Sequence, residues 1–141
     1  MGFAGINHTA ILVAALASFI FGAVYYGALG KPWMAAQGKS EADIENSGRP
    51  LPMLLVLSFV SALVMAWVLA GIIGHLGPGR VNVRNGIVSA LFAWVGFVAT
   101  TMTVNHGYQG ARWSLTAIDG GHWLGVLLLQ GAIIGWFGIH G

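Results

Sequence analysis

Asp119 and His122 stand three residues apart in Ile118-Asp-Gly-Gly-His122-Trp123, inside a stretch with no other ionised residue. At that spacing they share one face of a helix. A carboxylate beside an imidazole can hold or relay a proton, bind a cation or recognise a small polar solute. Other polar groups recur at the ends of apolar runs: Tyr25 and Tyr26 in one, Asn105, His106 and Tyr108 in another. Threaded through a membrane, all of these fall at one end, so Asp119, His122, Asn105, Tyr25, Tyr26 and His106 form the expected pocket. A second reading of Asp119 is structural. An Asp near a helix start faces the positive end of the helix dipole, and Gly120-Gly121 would mark a distorted first turn.

His8, His75 and His140 gather at the opposite end, one from each of three helix termini. Three imidazoles suit zinc and two suit haem. None lies in a local ligand motif, so they are metal candidates by residue type alone, and no cofactor is expected. Enzymatic signatures are missing too. There is no Gly-x-Ser-x-Gly elbow, no Gly-Lys-Ser phosphate loop and no His-Glu-x-x-His. The acidic residues are Glu41, Asp43, Glu45 and Asp119, so a two-carboxylate mechanism would have to recruit a connection. No catalytic residue is assigned. Without cysteine there is no disulfide framework, thiolate nucleophile or thiolate metal site.

Composition dictates the elements that position these groups. Of 141 residues, 57% are hydrophobic and 7% charged, and the mean hydropathy is +0.79. Soluble domains carry about 25% charged residues, so this surface must face lipid. The 22 glycines are spread through the apolar runs, as in membrane helices. Crossing ~30 Å of hydrocarbon takes roughly 20 apolar residues. Four segments qualify, at about Thr9–Leu29, Leu51–Gly74, Asn85–Asn105 and Leu115–Phe137. Helices are the physical choice because unpaired backbone groups are costly in lipid. The expected fold is therefore all-α, a single transmembrane domain over residues 1–141 built as a four-helix bundle of two parallel helical hairpins.

No Lys or Arg precedes the first apolar run, so that run is read as a retained span and not a signal peptide. The connection from Gly30 to Pro50 holds one or two short interfacial helices, one of them starting at Ser40-Glu41-Ala42-Asp43. Lys31, Trp33, Arg112 and Trp113 have the chemistry of interface anchors. The first and third connections carry Lys31, Lys39, Arg49 and Arg112, against Arg80 and Arg84 on the other side. That bias places both termini outside. The six basic residues form no stripe, which excludes a nucleic-acid partner.

Small residues recur at spacing four: Ala10, Ala14, Ser18, Gly22; Ser58, Ala62, Ala66, Ala70, Gly74; Gly121 with Gly125; Gly131 with Gly135. Such stripes let helices approach closely in lipid. Leftover stripe faces would serve a homo-oligomer or a larger membrane complex. Gly27-x-x-Gly30-Lys31-Pro-Trp33 and Gly107-x-x-Gly110-Ala-Arg112-Trp113 also suggest an internal repeat, relating the hairpins by an axis along the membrane normal.

Tyr25-Tyr26-Gly27 with Gly30-Lys31-x-Trp33-Met34, and Gly96-Phe-Val-Ala-Thr-Thr101 through Asn105 with Ile118-Asp-Gly-Gly-His-Trp123, resemble the two signatures of a family of bacterial inner-membrane proteins. That family is defined only as a domain of unknown function. The resemblance covers nearly the whole chain and implies a four-helix fold in the bacterial inner membrane, with no activity, substrate or cofactor. The family usually has Trp-Tyr where this chain has Tyr25-Tyr26, so an aromatic role there survives and an indole N–H does not. Three functions follow as expectations: a pocket for a small polar solute or proton, an accessory or assembly subunit, and a membrane-embedded metalloprotein.

Overall fold

The computed structural model describes residues 2–46 and 48–139. The described residues are helical, with no strand. Helix α1 (His8–Gln37) begins where the Asn7 side chain accepts from the Ala10 N–H at 3.1 Å. It bends at Leu29 (φ −104°, ψ 15°), one turn before Pro32. Proline has no N–H for the preceding turn and its ring crowds that turn, so a bend belongs there. The first expected span and the first expected interfacial helix are thus one element joined across a kink, and it ends at Gly38 (φ 67°). Helix α2 (Glu41–Glu45) starts at the expected capping box. Ser40 N–H donates to Asp43 Oδ2 at 2.8 Å, and Asp43 N–H to Ser40 Oγ at 3.2 Å. Those bonds hold the Asp43 carboxyl below its ordinary value.

Helix α3 (Leu51–Gly74) matches its expected bounds. The third span runs without interruption from Val83 to Gln109. It consists of α4 (Val83–Ala93), a π-helical segment at Trp94–Ala99, and α5 (Thr100–Gln109). Helix α6 (Trp113–Phe137) completes the set. All four long helices are long and apolar enough to cross a membrane. Their outer faces carry large apolar side chains such as Ile20, Val56, Phe92 and Phe97, as lipid requires.

Helix α6 sits between α1 and α4, and α3 packs on α1. The stripe residues Ala10, Ala14, Ser18, Ala62, Ala66, Ala70 and Gly74 are all buried within the one chain. Those positions are therefore spent inside the bundle, whereas Ser58, at the start of the α3 stripe, is exposed. Both hairpins form, but α1 and α6 make most of the junction between them, while α3 and α4 touch little. A two-fold relation would make those junctions equal, so the motif repeat does not extend to the packing. Close approach is greatest where α4 crosses α6. A Cβ on Gly86 would meet the Gly131 carbonyl carbon at 2.8 Å, so backbone lies against backbone.

The buried core contains Ile11, Ala66, Leu69, Ile73, Ala90, Leu127 and Ile134. It fills the end of the bundle where α1 begins and α3 and α6 finish. The chain before α1 closes this end, with Ala4 N–H donating to the Gly74 carbonyl at 2.9 Å. Few residues are buried toward the other end, where α3 starts and α5 finishes. That loosely packed end holds the polar residues.

Candidate functional site

Asp119 lies six residues after the first residue of α6, about 9 Å along the helix at ~1.5 Å per residue. Arg112 occupies the cap position without a side-chain cap bond. Asp119 is therefore not a helix cap, and Gly120-Gly121 lie in continuous helix. The correction is geometric, since α6 starts earlier than the expected Leu115 and puts the carboxylate well inside the span.

Two donors grip α6 on either side of this carboxylate. Tyr25 OH donates to the Ile118 carbonyl at 2.6 Å, and Trp94 Nε1–H donates to the Gly120 carbonyl at 2.9 Å. Between them, Tyr26 OH donates to Asp119 Oδ1 at 2.6 Å. The two tyrosines are neighbours on α1 and their targets are neighbours on α6, so adjacent residues reach adjacent residues across the interface. The hydroxyl at Tyr25 supplies a donor where the resembled family usually has an indole.

His122 is buried, and its ring stacks on Phe21 and packs against Tyr25, Tyr26 and Trp123. Its Nδ1 has no hydrogen-bond partner among the described residues. A Cβ on Gly22 would stand 2.9 Å from His122 Nε2, so the glycine makes room for the imidazole. Asp119 and His122 share a face as expected, yet Asp119 takes its hydrogen bond from Tyr26.

Both residues line a cavity of ≈ 450 Å³ between α1, α3 and α6. Ligand cavities are ~300–1,000 Å³, mostly apolar, with a few converging polar groups. Ser18, Tyr26, Ser58, Asp119 and His122 supply the polar groups here, while Phe19, Leu55, Trp123 and Val126 supply apolar wall. Trp33, expected as an interface anchor, turns into this wall and packs edge-on against Tyr26.

The other expected site residues fall elsewhere. His106 Nδ1 hydrogen-bonds Thr116 Oγ1 at 2.6 Å, tying α5 to α6 away from the cavity. Asn105 is exposed on the outer face of α5 and is no part of the pocket. The π-helical segment explains this. In a straight helix, about eleven residues make three turns, so Asn105 would share the face of Trp94. The wider π turn inserts one residue into that count. The inward positions become Trp94, Val98, Met102 and His106, all partly buried.

Arg112 Nη1 donates to the Ala35 carbonyl at 2.7 Å, pinning the end of α1 to the start of α6. Lys31 and Trp113 are exposed. Of the metal candidates, His8 is exposed and His75 Nδ1 hydrogen-bonds the Gly71 carbonyl at 2.7 Å. His140 lies outside the described residues. Among the described residues, no three His, Cys, Asp or Glu side chains come together as a metal-binding group.

Gln130, Ser18 and Trp94 were missed as polar contacts. Gln130 is fully buried, and its Nε2 donates to Ser18 Oγ at 3.0 Å and to the Ala62 carbonyl at 3.1 Å. It ties α6 to both α1 and α3 beside the deep end of the cavity. A lone amide within an apolar span was a readable signal, whereas Ser18 looked like one more small stripe residue.

The family described as "Protein of unknown function (DUF1761)" matches residues 9–135. The chain belongs to that family. The match takes in all four long helices almost entirely, so both the clamp on α6 and the cavity of this DUF1761 chain lie within it. No curated protein and no solved structure matches the chain.

Proposed function

We propose that this DUF1761 protein resides in the bacterial inner membrane and binds or passes a small polar solute or proton through its intramembrane cavity. Asp119 and His122 are the pair that meets the solute or proton, and Tyr26 orients the carboxylate. The observation that carries the reading is their placement together on the wall of the ≈ 450 Å³ cavity. Intramembrane ionisable residues are costly and mark solute or proton paths. The polar groups continue inward through Ser18 to Gln130. Beyond these, the buried side chains of Leu69, Ile73 and Ile134 fill the bundle. This favours a binding pocket reached from one end over an open pore.

The chain has no cysteine, so an introduced one is a clean reporter. In proteoliposomes, Ser58→Cys on the cavity wall should react with a water-soluble methanethiosulfonate, and the outward-facing Val64→Cys should not. Solutes that bind should protect Ser58→Cys, and Asp119→Asn should abolish the protection. Equal inertness of the two cysteines would refute a solute-accessible pocket.

A further inference from the structure

We infer that the cavity selects lipophilic organic cations, molecules with a delocalised or quaternary positive charge on an apolar body. The inference rests on the binding reading above and names the ligand class for that site. Three features of the wall carry it.

The first is charge. Asp119 is the one ionisable acid on the wall, and no Lys or Arg lines the cavity. Tyr26 engages Oδ1 only. In a low-dielectric cavity an anionic guest would meet a carboxylate with no compensating cation, whereas a cationic guest completes the pair.

The second is aromatic surface. Trp33, Tyr26, His122 and Trp123 form a continuous chain of rings, with successive centroids 5.6, 4.8 and 4.5 Å apart. Phe19 adds a further ring to the wall. Aromatic faces attract cations, and aromatic cages are the recurrent device for quaternary ammonium groups. A strongly hydrated ion would need a shell of oxygens instead, whereas this wall sets one carboxylate and three hydroxyls among aromatic and aliphatic side chains.

The third is shape. The cavity lies between α1, α3 and α6, and the α3 wall belongs to the half of that helix whose side chains are mostly exposed to lipid. An apolar body can therefore remain against apolar side chains while its charge reaches Asp119.

The test measures equilibrium binding of tetraphenylphosphonium to the full chain in lipid nanodiscs, with empty nanodiscs subtracted. The near-isosteric anion tetraphenylborate and the neutral triphenylphosphine oxide serve as comparisons. Saturable binding of the cation at least tenfold tighter than either comparison supports the inference. Asp119→Asn should weaken it tenfold or more, and Trp123→Leu several-fold. Trp136→Leu, exposed at the far end of α6, should leave it unchanged. Equal or tighter binding of the anion or the neutral compound overturns the cation class and leaves the pocket standing. Absence of saturable binding by all three overturns the inference, while the Ser58→Cys labelling decides the pocket separately. Cation binding that survives Asp119→Asn also overturns the inference, and the wild-type comparison holds even if a variant misfolds.

Discussion

Tyr26 OH stands 2.6 Å from Asp119 Oδ1 and donates to it, joining α1 to α6 where both helices reach the cavity. A hydrogen bond to a charged group contributes about 1.5–3 kcal/mol net. Tyr26→Phe should lower stability by about that amount, measured by chemical unfolding in mild detergent. In a double-mutant cycle with Asp119→Leu, which removes the acceptor, the two losses should be clearly non-additive. Additivity within about 0.3–0.5 kcal/mol would mean that the residues do not interact.

The Gly86–Gly131 crossing sets the distance between α4 and α6. Alanine at either position would push its Cβ into the facing carbonyl. Overpacking of this kind costs about 1–3 kcal/mol. Gly71 is the control, because a Cβ there meets nothing within 4 Å. Gly71→Ala should be neutral or stabilising by up to about 1 kcal/mol, since alanine is the better helix former. Equal unfolding midpoints for Gly131→Ala and Gly71→Ala would show that the crossing is misplaced.

Gln130 holds three helices together through one amide. Interhelical hydrogen bonds in membranes average about 0.6 kcal/mol and reach about 1.7. Gln130→Leu removes two such bonds, partly offset because Oε1 is buried without a partner among the described residues. The expected net loss is about 1 kcal/mol. Ser18→Ala removes a single acceptor for this amide and should cost less. A Gln130→Leu protein more resistant to unfolding than wild type would contradict the tie.

The π-helical segment sets the register of α5. Deleting Gly96 should convert Trp94–Ala99 to ordinary helix and leave the facing of α5 unchanged, because His106 then follows Trp94 by about eleven residues, three straight turns. Cysteines at positions 106 and 116 should cross-link in the full-length chain and still do so after the deletion. Cysteines at 105 and 116 should fail to cross-link in both. Loss of the 106–116 cross-link on deletion would mean that this segment does not take up the extra residue.

Much of the fold was legible because its causes are local or set by the solvent. Bilayer thickness dictates the length of each apolar run, which is why α3 falls on its expected bounds from Leu51 to Gly74. Small residues recur at spacing four because helix periodicity brings them to one side. Ala14, Ala66 and Ala70 accordingly lie in the core. Asp119 and His122 were legible as a pair for the same reason, being near neighbours on one helix.

Tertiary structure decided the rest, because it depends on which helix faces which. Spacing along α6 could not show that the partner of Asp119 is Tyr26, 93 residues away. A straight-helix count could not reveal the π turn that turns Asn105 outward and His106 inward. Gln130 could be seen as a lone amide, yet its partners Ser18 and Ala62 belong to two other helices. The cavity exists because α1, α3 and α6 pack tightly at one end and loosely at the other, and that property belongs to no single segment.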